Sequence, residues 1–179
     1  MTVSILTCVS NFGLGRGPGH SCLLVSGTVF SFENMLGNLP TGASGWNSFN
    51  EAEYLEMNSE RPVFIQKLYG IVDEGKVLEY ISQSIVQDDK YGPAGVCSSQ
   101  TASAIEYAWG KSFDPTGIDK PYAVYLLAKA KRLVEKETLH WPGKYNLATG
   151  TQINLDYMLA EIAKAPIPRT MLEEQHFSN

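Results

Sequence analysis

The sequence has few cysteines, and they do not form the pattern of a disulfide framework or a zinc site. The 179 residues contain only Cys8, Cys22 and Cys97, an odd and widely spaced set without a CxxC pair. Disulfide-dependent small domains use a denser, even set, and structural zinc sites use ligand pairs at short spacing. We therefore expect at least one free thiol and no metal site.

The sequence also lacks long apolar runs and any concentrated positive charge. No window approaches the roughly 18–20 apolar residues of a membrane span, which predicts no transmembrane segment. The opening "MTVSILTCVSNFG" has no positive n-region and only a short apolar stretch, so we expect synthesis in the cytoplasm without a standard signal peptide. The net charge is −5, and the one dense basic run, Lys129, Lys131 and Arg132, is expected on the solvated face of a helix, which predicts no nucleic-acid partner.

The composition is that of a folded chain with one core. Hydrophobic residues make up 44% of the sequence and charged residues 18%. This length suits a single domain over residues 1–179, and neither an internal repeat nor an interdomain linker divides it. Strand patterns precede most helix patterns, which favours an α+β fold over a doubly wound sheet.

Local patterns predict the individual elements. The turn residues Ser26-Gly27 separate two apolar runs and predict a hairpin. The segment 34–50 is rich in Gly, Asn and Ser, which predicts a long loop with Met35, Leu36 and Trp46 as its apolar anchors. The remaining segments predict strands at 2–9 and 61–70, a short strand or helical turn at 51–57, and helices at 73–87, 97–110, 120–137 and 151–165.

Cys97 is the first candidate for chemistry, because it follows "YGPAGV" and opens a predicted helix. A thiol at a helix N-terminus feels the positive end of the macrodipole and meets free N–H groups, so we expect a lowered thiol pKa. The same N–H groups suit an oxyanion. The alternative is that Cys97 is a small buried core residue, as free cysteines often are.

His20 and Glu33 are candidates because a hairpin brings the end of its second strand beside the start of its first. An imidazole at that edge can face a helix packed on the sheet and accept a thiol proton. A carboxylate beside it can fix the imidazole tautomer. Ser31, on the same strand face as Glu33, and Asn34 are alternative orienting residues. The other interpretation is ordinary edge polarity.

The stretch "GHSCLLVSGTVFSFE" resembles the histidine-containing hairpin of the NlpC-type papain-like superfamily. The cysteine helix follows the hairpin here, an order similar to that of the circularly permuted branch, which includes lecithin:retinol acyltransferase-like proteins. The resemblance covers roughly residues 17–110. It implies a permuted papain-like fold in which a small antiparallel sheet packs against helices. It also implies that Cys97 is the nucleophile, His20 the base and Glu33 the orienting residue.

The resemblance further implies a cysteine hydrolase, an amidase or endopeptidase, that needs no cofactor. Its expected substrate is bacterial cell-wall peptidoglycan peptide or another amide or ester. Tyr91, Ser98 and Trp46 are the expected substrate-binding residues. Related bacterial proteins include delivered toxins, so an antibacterial effector that acts in a target-cell periplasm, with an immunity or delivery protein as partner, is part of this expectation.

Two alternatives stay open at this point. A lipid acyltransferase or thioesterase of the same fold would need an apolar groove, for which Met35, Leu36 and Trp46 are the only support. Against it, the acyltransferase branch carries an Asn-Cys-Glu-His-like segment, whereas this chain has Val96-Cys97-Ser98-Ser99. A non-catalytic binding module would show a Cys97 thiol of ordinary reactivity.

Overall fold

The computed structural model describes residues 2–8, 19–34, 44–59, 61–89, 96–114 and 121–140. In these ranges the chain forms an α+β fold of six strands and four helices. The elements, in chain order, are β1 (Val3–Cys8), β2 (His20–Val25), β3 (Thr28–Asn34), β4 (Ser44–Asn50), α1 (Glu51–Met57), β5 (Val63–Leu68), α2 (Glu74–Val86), α3 (Cys97–Trp109), α4 (Pro121–Ala130) and β6 (Val134–His140).

The six strands form one antiparallel sheet in the order β4-β3-β2-β1-β5-β6. This confirms the prediction of an α+β fold with an antiparallel sheet packed against helices. The hairpin β2–β3 turns at Ser26 and Gly27, whose φ angles of 46° and 84° are those of a type I′ turn. Such a turn matches the right-handed twist of the strands it joins, so these two residues set the register of the hairpin.

Each face of the sheet carries its own core. The larger core lies under α2, α3 and α4, and strand β2 contributes Leu23 and Val25 to it. The smaller core, on the other face, contains Cys22 and Leu24 of β2 together with Tyr54 of α1. Because side chains alternate along a strand, His20 lies on the α1 side with Cys22, as predicted.

The composition of segment 34–50 predicts one long loop, but part of this segment forms strands. β3 extends to Asn34, and Ser44–Asn50 forms the edge strand β4, with Trp46 opposite Phe32. Gly, Asn and Ser are poor strand formers, so the pairing with β3 and the packing of Trp46 override local propensity here. The segment 51–57 is the helix α1, capped by the side chain of Asn50.

The predicted helix 120–137 is also wrong in its second half. α4 ends at Ala130, Arg132 adopts a left-handed turn conformation with φ 55°, and β6 pairs with β5 along the sheet edge. The basic run therefore straddles a helix end and a turn instead of lying along one helix. An edge strand is exposed on one side and tolerates charged side chains. The pattern of polar and apolar residues in β6 therefore does not distinguish this strand from the exposed face of a helix.

The predictions for α2 and α3 are confirmed. The Asp73 side chain caps α2, and Gly110, with φ 72°, ends α3. Tyr91, Met35, Leu36 and the predicted helix 151–165 lie outside the described residues. None of the helices in the described ranges is long and apolar enough to cross a bilayer.

Candidate active site between strands β2 and β3

The N-terminus of α3 brings Cys97 to the sheet. Val96, just before the helix, is extended, and no side chain caps the first-turn N–H groups. The Ser99 hydroxyl instead turns back and accepts a hydrogen bond from the Val96 N–H at 2.9 Å. The first-turn N–H of Cys97 is therefore free of a side-chain cap and can interact with an anion, whereas the backbone of Ser98 acts on the Cys97 sulfur.

The β2–β3 ladder opens where α3 arrives. Register partners join Leu23–Val25 to Thr28–Phe30, whereas Ser21 has no partner on β3. In an antiparallel strand the backbone groups of alternate residues point to the same neighbour, so those of Ser21 point toward β3, like those of Leu23. The Ser21 carbonyl accepts instead from Thr101 Oγ1 of α3 at 3.3 Å. Helix α3 thus replaces the missing strand partner.

The Cys97 sulfur lies in this opening. It is one helical turn before Thr101, and the backbones of Ser21 and Ser98 and the Ser21 hydroxyl act to lower the pKa of the thiol. The Ser21 hydroxyl has no hydrogen-bond partner among the described residues and is fully buried. Ser21 directly follows His20, and consecutive Cα atoms are about 3.8 Å apart, so the sulfur lies near the His20 backbone.

The electrostatics of Cys97 differ from the expectation drawn from its helix position. Burial raises the pKa of the Cys97 thiol, while its contacts with Ser21 and Ser98 act in the opposite direction. The Glu33 carboxylate adds a smaller raising effect. The expected net lowering by the helix N-terminus is wrong, because the thiol is 5% exposed and desolvation of a thiolate outweighs the N–H groups. The resting group is therefore a neutral thiol.

His20, Ser31 and Glu33 form a chain of hydrogen bonds on the α1 side of the same opening. His20 Nε2 is 2.6 Å from Ser31 Oγ, and Ser31 Oγ donates to Glu33 Oε1. Nε2 is also 3.6 Å from Glu33 Oε1. Ser31 is fully buried, and the His20 and Glu33 side chains are 14% and 22% exposed. Of the three orienting residues considered, Ser31 touches the imidazole directly and Glu33 lies behind it.

This chain of bonds assigns the tautomer of His20. A carboxylate only accepts hydrogen bonds, so the Ser31 hydroxyl gives its proton to Glu33. The serine oxygen must then accept from His20 Nε2–H. The other ring nitrogen, Nδ1, is left with its lone pair free to accept a proton.

Burial and the positive charge of Arg61 lower the pKa of His20 from 6.5 to about 3. The Glu33 carboxylate at 3.6 Å opposes this shift, since a negative neighbour favours the imidazolium. The net result is a neutral imidazole at neutral pH. Cys97 and His20 therefore do not form a resting thiolate–imidazolium pair at neutral pH.

The other predicted site residues lie at different places. Ser98 lies beside Cys97, and its buried hydroxyl has no partner among the described residues. Trp46 lies on the opposite face of the sheet from Glu33, where its Nε1 donates to Ser84 Oγ at 3.0 Å and its ring packs edge-to-face on Phe32. Cys22 is fully buried in the α1-side core.

Sequence reasoning missed two residues of this site. Strand alternation puts Ser21 on the helix side directly after His20, so this signal was available in the sequence. Arg61 was not predictable, because its approach to His20 depends on the order of strands in the sheet. Within the described ranges no group of His, Cys, Asp or Glu side chains is arranged to hold a metal ion.

Comparison with protein families, curated proteins and solved structures gave no match to this chain. The family assignment therefore remains a resemblance in the hairpin and cysteine-helix motifs.

Proposed function

We propose that this chain is a cysteine hydrolase of the circularly permuted papain-like, NlpC-type fold. Cys97 is the nucleophile, His20 the base, and Glu33 the orienting carboxylate that acts through Ser31. The observation that supports the proposal is that Cys97 lies beside Ser21, the residue next to His20, while Ser31 and Glu33 hold the His20 imidazole. A thiol, an imidazole with a free Nδ1, and a carboxylate behind the imidazole are the parts that nucleophilic acyl transfer requires.

The proposed acylation step uses these three groups. His20 Nδ1 takes the thiol proton as the Cys97 sulfur bonds to the substrate carbonyl carbon. The carbonyl oxygen becomes an oxyanion near the uncapped N–H of Cys97 at the start of α3. The bond to the leaving nitrogen or oxygen breaks, that group takes the proton from His20, and a thioester remains on Cys97.

Deacylation uses the same groups in reverse order. His20 removes a proton from water as the water oxygen attacks the thioester carbon. The carbon–sulfur bond then breaks, the sulfur recovers the proton, and a carboxylic acid leaves. In both steps the Ser31–Glu33 pair stabilises the transient imidazolium through Nε2–H, which matters because burial alone disfavours that charge.

An amide of peptide type is the proposed substrate, and cell-wall peptidoglycan peptide is the first candidate because of the motif resemblance. Delivery into a target-cell periplasm, with an immunity or delivery protein as partner, belongs to the same proposal. The lipid alternative loses one of its supports, since Trp46 is hydrogen-bonded to Ser84 and packed against Phe32 on the helix side of the sheet.

The test is a burst experiment with p-nitrophenyl acetate. An activated ester acylates the nucleophile and releases p-nitrophenol, so the wild type should give a stoichiometric burst and one acetyl group on Cys97, located by peptide mass spectrometry. His20→Gln keeps a polar side chain of similar size and should slow the burst roughly 100-fold or more.

Cys8 and Cys22 serve as internal controls, because both are free and buried. Acetylation spread over the three cysteines, or a burst of equal rate in folded His20→Gln, would contradict the proposal. Peptidoglycan fragments are then the first natural substrates to assay.

A further inference from the structure

Arg61 lies at the same end of the sheet as the site, on the side opposite Glu33. Cys8 is paired with His20 of β2 on one side and with Val63 of β5 on the other. Arg61 comes two residues before Val63, so the chain places it across β1 from His20. Its positive charge acts on both His20 and Cys8.

The guanidinium of Arg61 is held in a fixed orientation. Its Nε and Nη2 donate to Asn58 Oδ1 at 2.9 and 2.5 Å, and its backbone N–H donates to the Asn58 carbonyl at 3.1 Å. Asn58 is itself bound by its side-chain nitrogen to the Tyr54 carbonyl at the end of α1, at 2.9 Å. Asn58 leaves the Nη1 donors of Arg61 free, and a prearranged donor loses little entropy when a ligand binds.

This cation has no acidic partner among the described residues. The ion pairs found there join His20 to Glu33, Lys67 to Glu135, and Lys129 to Glu137. Arg61 is half-buried, and Asn58, the side chain that its guanidinium binds among the described residues, is neutral. Closing the turn after α1 needs a hydrogen-bond donor but not a charge, so the turn does not account for a guanidinium.

We propose that Arg61 binds a carboxylate of the substrate, and that the substrate is an acidic, peptide-like amide with a free carboxylate close to the bond that Cys97 attacks. A guanidinium fork matches a carboxylate in shape and charge, which is the reason for choosing this ligand class. The inference rests on the proposed function and adds the substrate class. Glu33 and Arg61 would then flank His20, one facing the imidazolium and the other the substrate.

Iodoacetate and iodoacetamide test this on the intact protein. Both alkylate a thiol by displacing iodide, and they differ in that iodoacetate carries a carboxylate one carbon from the reacting carbon. The ratio of the two rates at Cys97, iodoacetate over iodoacetamide, should fall about three- to tenfold in Arg61→Gln at low ionic strength, the effect of losing one nearby unit charge. Arg61→Lys, which keeps the charge, should stay closer to the wild type.

Arg132→Gln is the matched control. Arg132 precedes β6, whose first residue pairs with Leu68, so it lies at the opposite end of β5 from Arg61. This variant removes the same charge and should leave the ratio unchanged. An equal ratio in wild type, Arg61→Gln and Arg132→Gln would overturn the proposal.

A second measurement needs only the wild type. N-acetylglycine, an amide with a free carboxylate, should protect Cys97 from iodoacetamide at lower concentration than N-acetylglycinamide does, and equal protection would overturn the inference. Failure of the proposed function looks different. In that case Cys97 reacts no faster than Cys8 and Cys22, or as fast in His20→Gln as in wild type, and the inference about Arg61 falls with it.

Discussion

Ser31 lies between His20 and Glu33, with its hydroxyl oxygen 2.6 Å from the imidazole Nε2 and its proton directed to the carboxylate. A buried serine thus connects the two residues that the hairpin was expected to bring together directly. In the proposed mechanism the serine sets the orientation of the ring, and the carboxylate supplies the charge that stabilises a transient imidazolium.

Replacing Ser31 and Glu33 one at a time should separate the orientation of the imidazole from the stabilisation of its charge. Ser31→Ala removes the acceptor for Nε2–H, so the rate of the acylation burst should fall roughly tenfold or more. Glu33→Gln keeps an oxygen that accepts from Ser31 but removes the charge, so the ring keeps its orientation while the imidazolium loses its stabilisation. Burst rates of both variants against pH check this. Wild-type rates in both would remove the Ser31–Glu33 pair from the mechanism.

Ser21 and Ser98 form a matched pair beside the sulfur. Both the hydroxyl and the backbone of Ser21 act to lower the pKa of the Cys97 thiol, whereas only the backbone of Ser98 does. We therefore expect Ser21→Ala to move the pH profile of Cys97 alkylation to higher pH, and Ser98→Ala to leave it unchanged. The measurement is the rate of alkylation by iodoacetamide between pH 7 and pH 10. Equal profiles for both variants would show that the Ser21 hydroxyl does not stabilise the thiolate.

The lowered pKa of His20 predicts a specific loss of stability in acid. With a folded pKa of about 3 against 6.5 for the unfolded chain, the unfolded state takes up the proton first as the pH falls. The stabilisation is present above pH 6.5 and is lost as the pH falls toward 3. Between pH 7.5 and pH 5 this amounts to about 2 kcal/mol at most, because Glu33 opposes the shift.

Urea unfolding of wild type and His20→Gln at several pH values measures this effect. The free energy of unfolding of the wild type should fall more steeply with acid than that of the variant, since all other titrating groups are common to both. Parallel curves would show that His20 titrates near its ordinary value in the folded protein.

Trp46 should matter for stability and not for acylation. Trp46→Phe keeps an aromatic ring against Phe32 but removes the N–H that donates to Ser84. We expect a loss of about 1 kcal/mol in the free energy of unfolding and an unchanged burst rate. A variant with normal stability and a weakened interaction with substrate would restore Trp46 as a substrate-binding residue.

The elements that the sequence determined are those with local causes. Ser26-Gly27 fix the hairpin by their backbone conformation, Asp73 caps α2, and Gly110 ends α3. Strand alternation before that turn places His20 and Cys22 on one face. These interactions join residues close together in the chain, so the sequence alone was sufficient for them.

Only the tertiary structure decided the rest. β4 and β6 are strands because neighbouring strands supply their backbone partners, which local propensity does not reveal. The pKa of the Cys97 thiol is raised because packing removes it from water, whatever its place on the helix. Arg61 comes near His20 only because β1 lies between β2 and β5 in the sheet. Desolvation and strand order depend on contacts between distant segments. The pKa of Cys97 and the position of Arg61 therefore could not be predicted from the sequence alone.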